Sequence, residues 1–179
     1  MPRARPKNLR ARLSRVRLFL CDVDGVLTDG KLWYGPQGET LKAFYVRDGM
    51  GLRLLAESGI ALALLTSRRS EAVALRAAEL RITHVLQGSE EKHAPFAALI
   101  AQLGFSATEA GYMGDDLVDL PVLRRCGFAC APAGAPELVR STSHYVTTAA
   151  PGAGAVREAC EFVLRAQGKL DRALAAYLA

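Results

Sequence analysis

The stretch Leu18-Phe19-Leu20-Cys21-Asp22-Val23-Asp24-Gly25-Val26-Leu27-Thr28 decides how this chain is read. An apolar run stops abruptly at two aspartates separated by one residue, and a glycine follows. In an extended chain residues i and i+2 point to the same side. Asp22 and Asp24 are therefore expected to converge at the end of a buried strand. Two carboxylates held together repel each other unless a cation or a proton intervenes. Mg²⁺ suits such a place, since it usually takes one or two carboxylates together with a substrate phosphate. Read alone, Asp-x-Asp-Gly serves equally well as an Asx-type turn that ends a strand.

Outward from this stretch, strands and helices alternate. Residues 31–34 and 39–46, joined by a four-residue loop Gly35-Pro36-Gln37-Gly38, read as a β-hairpin. A helix runs from Asp48 to about Glu57 and stops at Gly59. Ile60 to Leu65 is an unbroken apolar run, the mark of a strand covered on both faces. Helices are predicted near 70–80, 90–103, 117–124, 136–140 and 155–166, with strands at 84–86, 110–113, 127–131 and 145–147. The alternation predicts an α/β fold, a mostly parallel sheet between two helical layers. Ligands in such folds bind beyond the C-terminal strand ends. Asp22/Asp24, Thr66-Ser67-Arg68, the stretch Gln87–Lys92 and Gly114-Asp115-Asp116 all fall there.

Composition narrows the class. At 179 residues, half of them hydrophobic, the chain is expected to form one globular domain. No apolar run is long enough to span a membrane, and the N-terminus lacks the apolar core of a signal peptide. A cytoplasmic location is expected. The net charge of +5 is local. Seven of the 23 Lys and Arg lie in residues 1–17, which hold no acid, so the rest of the chain is slightly acidic. Residues 1–17 are expected to be a basic arm, solvated or a short surface helix with Leu9, Leu13 and Val16 as a thin apolar stripe. The arm could meet nucleic acid, but the surface role is favoured. Cys21, Cys126, Cys130 and Cys160 show no zinc-site spacing and are expected as buried, reduced thiols.

Asp22-Val23-Asp24-Gly25-Val26-Leu27-Thr28, Thr66, Lys92 and Gly114-Asp115-Asp116-Leu117-Val118-Asp119, in this order, resemble the four motifs of the haloacid dehalogenase superfamily of phosphoryl-transfer enzymes. The resemblance implies a Rossmann-like three-layer sandwich. It implies that Asp22 attacks phosphorus and that Asp24 is first a general acid and then a general base. It implies Mg²⁺ held by Asp22, the Asp24 backbone carbonyl and Asp115. Thr66 and Lys92 would bind phosphoryl oxygens. Asp116 and Asp119 would orient the metal site or the lysine.

Only 37 residues separate Thr28 from Thr66, and 25 separate Thr66 from Lys92, so the hairpin fits but a cap domain does not. The stretches 44–53, 82–84, 154–158 and 166–171 are similar to capless sugar-acid phosphatases of the superfamily, which act on the phosphate of an eight-carbon keto-sugar acid in lipopolysaccharide synthesis. That similarity implies substrate contacts from Asp24, Tyr45, Val46, Arg47, Asp48, Gly49, Arg53, Arg68, Arg76 and Lys92. It also implies a homotetramer in which hairpin and tail help cover a neighbour's site. Such a substrate carries about three negative charges at neutral pH, and separated arginines suit its two anionic ends. The chain departs from the family at Ser67, where Gly is usual, at Ala153, where Arg is usual, and in its tail. The expected division is an arm at 1–17, a phosphatase domain at 18–168 and a tail at 169–179. A nine-carbon sugar-acid phosphate as substrate, and a non-catalytic binding role on the same fold, are the competing readings.

Overall fold

The computed structural model describes residues 8–178. Helix α1 (Leu9–Leu13) leads into strand β1 (Leu18–Cys21). A hairpin of β2 (Trp33–Gly35) and β3 (Gly38–Leu41) follows, and then helix α2 (Val46–Glu57). Strand and helix then alternate through β4 (Ala61–Leu65), α3 (Glu71–Glu79), β5 (His84–Leu86), α4 (His93–Gln102), β6 (Ala110–Met113) and α5 (Leu120–Leu123). The chain closes with β7 (Phe128–Ala131), α6 (Glu137–Thr142), β8 (Tyr145–Val146), α7 (Ala155–Ala166) and α8 (Leu170–Ala175). Six strands form one sheet in the order β5-β4-β1-β6-β7-β8, with every pairing parallel. The chain starts at the centre, builds one side through β4 and β5, then crosses to build the other. The crevice at that reversal, beside the C-terminal end of β1, is where such sheets bind ligands.

Alternation along β1 explains its uninterrupted hydrophobicity. Phe19 and Cys21 enter a core shared with α1, α2, α7 and α8. Leu18 and Leu20 enter a second core, under α4, α5 and α6. A strand buried on both faces has no position for a polar side chain until it ends. Helix α7 shows the complementary helical period. Its buried residues Ala155, Val156, Ala159, Cys160, Val163 and Leu164 make one stripe. Helix α2 packs close against it, because a Cβ on Gly51 would stand only 2.9 Å from Arg157 Cα.

Four expectations are corrected. The hairpin loop is two residues, Pro36-Gln37, because Gly35 and Gly38 pair with each other. Its second strand ends at Leu41, and α2 begins at Val46, two residues before Asp48. The stripe of Leu9, Leu13 and Val16 is not at the surface but joins the α7 core. Gln167 Nε2 secures it, donating to the carbonyls of Leu13 and Val16 at 2.9 Å each. Arg3, Arg5 and Lys7 of the expected arm lie outside the described residues. All four cysteines are buried and unpaired.

Candidate active site

The sheet ladder continues one bond past β1, with the Asp22 amide donating to the Met113 carbonyl at 2.9 Å. The chain then turns sharply. The amides of Val26, Leu27 and Thr28 all donate to the Val23 carbonyl. Gly25 sits in the left-handed region at φ +81°, and a Cβ there would lie 2.0 Å from Asp115 Oδ2. Only glycine fits both the backbone and the space. The loop after β1 is thereby pressed against the carboxylate supplied by the loop after β6.

Lys92, the N-cap residue of α4, is fully buried. Its Nζ donates to Asp22 Oδ2 at 2.6 Å and to Asp119 Oδ1 at 2.7 Å. Asp119 also accepts from the Tyr112 hydroxyl at 2.5 Å and from the amides of Asp115 and Asp116 at 2.9 and 3.0 Å. Those four donors match the acceptor capacity of a carboxylate. Asp119 is thus a fixed anchor that ties the 114–119 loop to the lysine. Burial favours a neutral amine at Lys92, but Asp22 and Asp119 together outweigh it and hold its pKa above the usual lysine value.

Carboxylate oxygens of Asp22, Asp115 and Asp119 lie within 4.8 Å of one another. Burial, and then the charges of Asp22, Asp119 and Asp116, push Asp115 up to about 8. Burial and Asp119 push Asp22 up to about 6, against the pull of Lys92 and the Val23 amide. Near neutral pH this cluster calls for a proton or a cation. With Asp119 already saturated by donors, Asp22 and Asp115 are the oxygens left for a metal, and a set of hard carboxylate donors fits Mg²⁺. The Asp24 side chain does not join them. The strand has ended by Cys21, so the period-two argument no longer applies, and the turn carries the Asp24 carboxylate to the hairpin instead. This corrects the expected convergence of Asp22 and Asp24.

A cleft of about 250 Å³ opens over the cluster, lined by Asp22, Asp24, Thr66, Arg68, Asp115 and Asp116 among others. Thr66 is held at the end of β4 by its amide, which donates to the Leu86 carbonyl at 2.9 Å. At the cleft mouth Asp24 Oδ1 pairs with Lys42 Nζ, and Lys42 is also held by Glu39 at 3.1 Å. Arg68 pairs with Glu39 at 3.1 Å and donates to the Tyr34 hydroxyl at 2.8 Å. Asp24 Oδ2 is buried without a hydrogen-bond partner among the described residues.

Asp22, Asp24, Thr66, Arg68, Asp115 and Asp116 thus line one cleft, with Lys92 bonded to Asp22 and Asp119, while the Asp24 carboxylate faces Lys42 and not the cluster. Tyr45, Val46, Arg47, Asp48, Gly49, Arg53 and Arg76 do not line this cleft. Val46, Gly49, Arg53 and Arg76 border a separate cavity of about 500 Å³ between α2 and α3. Asp48 is turned to the start of α7, accepting from the amides of Gly154 and Arg157 at 3.3 and 2.8 Å. Tyr45 lies near Gly154, and Arg47 is exposed. Sequence reasoning did not find Tyr34, Glu39, Lys42 or Tyr112. Nothing in the sequence just after the hairpin separates Lys42 from an ordinary surface lysine, and Tyr112 is hidden in an apolar strand.

No protein-family model matches the chain. The sheet order and a carboxylate site at the end of its central strand define a capless hydrolase of the haloacid dehalogenase class. A Legionella pneumophila structure assigned to that superfamily, subfamily III A, superposes with a TM-score of 0.91 at 38% identity, covering 96% of this chain and 94% of its own. The 3-deoxy-D-manno-octulosonate 8-phosphate phosphatase KdsC of Yersinia pestis is 46% identical over 162 residues, 90% of this chain and 87% of that one. The crystal structure of the Moraxella catarrhalis phosphatase of the same name, in complex with magnesium ion, phosphate ion and KDO, matches with a TM-score of 0.92 at 42% identity, covering 96% and 99% of the two chains. The chain belongs to the KdsC family.

Proposed function

We propose that this chain is a Mg²⁺-dependent phosphatase that hydrolyses 3-deoxy-D-manno-octulosonate 8-phosphate to the free sugar acid and phosphate, a step towards lipopolysaccharide. The observation that carries the mechanism is the buried Lys92 paired with Asp22 at the floor of the cleft. Lys92 holds Asp22 in place and keeps positive charge where phosphate oxygens would sit. Asp22 attacks phosphorus, forming a bond from its carboxylate oxygen as the bond from phosphorus to the sugar oxygen breaks. Asp24 gives its proton to the departing sugar oxygen, then takes one from the water that splits the aspartyl-phosphate and frees phosphate. Thr66 and Lys92 bind the phosphoryl oxygens, and Asp119 keeps the lysine in position. Asp22, Asp115 and the Asp24 carbonyl would hold Mg²⁺, whose charge would offset that of nucleophile and phosphate.

The active unit in this reading is a homotetramer. The arginines that would grip the sugar-acid carboxylate, Arg53 and Arg76, border a different cavity from the nucleophile within one chain. A neighbouring subunit would supply them, along with the stretch 45–49. The cytoplasm is the expected compartment, supported by four buried, unpaired thiols.

The test is phosphate release with Mg²⁺ from the eight-carbon substrate beside nine-carbon keto-acid phosphates. A tenfold preference in kcat/KM, about 1.4 kcal/mol of discrimination, supports the assignment. Comparable turnover moves it to sugar-acid phosphates in general. Asp22→Asn should abolish turnover while the protein stays folded; retained turnover would remove Asp22 as nucleophile.

A further inference from the structure

We propose that Lys42 is a positioning residue for Asp24, and that the hairpin carries it into the catalytic cleft of its own chain. The proposal rests on Asp24 acting as the proton donor. The Lys42 side chain is only 2% exposed although it follows an exposed hairpin strand. Its ammonium pairs with Asp24 Oδ1 and with Glu39 at 3.1 Å. Glu39 in turn holds Arg68, and Arg68 holds the Tyr34 hydroxyl. Three members of this chain, Tyr34, Glu39 and Lys42, come from or directly follow the hairpin.

The consequence concerns the two oxygens of Asp24. An ammonium has donors and no acceptor. Lys42 therefore keeps Oδ1 an acceptor, and a proton on Asp24 is carried by Oδ2. That oxygen is buried, without a hydrogen-bond partner among the described residues, and 4.0 Å from Arg68 Nε. A buried polar atom without a partner is costly, and the departing sugar oxygen supplies the missing one. Lys42 thus selects which oxygen delivers the proton and stops the side chain from swinging.

The experiment separates proton delivery from general attraction of anions. With enzyme in excess and Mg²⁺ present, single-turnover release of the leaving group is followed for two substrates. The sugar phosphate needs a proton on its departing oxygen; 4-nitrophenyl phosphate departs as a stable phenolate and needs none. Lys42→Met keeps the buried stem and removes the charge. It should slow the sugar phosphate by about tenfold or more and the nitrophenyl ester by less than about threefold, within the range of general acid effects. Lys42→Arg should restore part of the difference. Glu39→Gln, which loosens Lys42 without removing it, should show a smaller split in the same direction. Near-ultraviolet circular dichroism checks that each variant is folded. Equal slowing of both substrates by Lys42→Met and by Glu39→Gln overturns the proposal. Asp24→Asn decides the premise. If it slows both substrates alike, the acid role of Asp24 falls, and the proposal with it. If Asp24→Asn splits the substrates and Lys42→Met does not, the Lys42 proposal alone is lost.

Discussion

At the scale of single residues, the site is governed by carboxylates placed too close together. Asp115 is pushed up to about 8 by burial and by its acidic neighbours. A carboxyl raised in the folded state binds more protons folded than unfolded, so its ionisation opposes folding as pH rises through that value. Metal-free Asp115→Asn should therefore be more stable than metal-free parent protein, by a margin that grows from about pH 4 to about pH 8 and then levels. Protons and Mg²⁺ compete for the same oxygens, so the Mg²⁺-induced rise in Tm of the parent should be small at pH 5 and large at pH 8. Thermal melts with and without Mg²⁺ across that range check both signs. A margin that shrank with pH would mean that Asp115 is ionised with favourable partners instead. The place of Asp22 and Asp115 at the cleft was legible from the sequence because each stands where an apolar strand stops. The turn of Asp24 toward Lys42 was not, since that ion pair links residues 18 apart on a loop and a hairpin.

At the scale of elements, the loop of residues 114–119 and the start of α4 are locked together by one carboxylate. Asp119 accepts from Lys92, Tyr112 and two backbone amides. Removing one member of a buried, hydrogen-bonded ion pair strands the other charge, typically at about 3–5 kcal/mol. Asp119→Ala should lower stability by that order in urea titrations and should also disorder Lys92. A loss under about 1 kcal/mol would show that the network relaxes or admits water. The strands and long helices around this loop were readable from apolar runs and from the 3.6-residue period of α7. The hairpin ends were misjudged because Gly35 and Gly38 pair across it, a choice made by cross-strand geometry and not by turn composition.

At the scale of the whole molecule, the hairpin leaves Leu32, Trp33, Tyr34 and Leu41 exposed. A cluster of large apolar side chains on one projecting flap fits an interface between copies. Light scattering should find a tetramer, and Trp33→Ser with Leu41→Ser should shift it to smaller species. The division of Asp22 from Arg53 and Arg76 gives a sharper check. If neighbouring subunits share sites, inactive Asp22→Asn chains mixed with weakened Arg76→Ala chains should regain activity through the sites that pair an intact nucleophile with an intact arginine. Mixtures no more active than the sum of their parts would place each site within one chain.

The sequence alone determined the layered α/β class, the placing of carboxylates at the C-terminal strand ends and the family, because periodicity and short motifs are local properties of a chain. Burial of Leu9, Leu13 and Val16 under α7, the saturation of Asp119 and the joining of Asp24 to Lys42 were decided by tertiary structure. Tertiary structure likewise separated Arg53 and Arg76 from the cleft. These depend on which surfaces meet once the sheet is assembled. Contacts between residues far apart in sequence follow from packing and from the cost of an unpaired buried charge, and neither is written in any single stretch of residues.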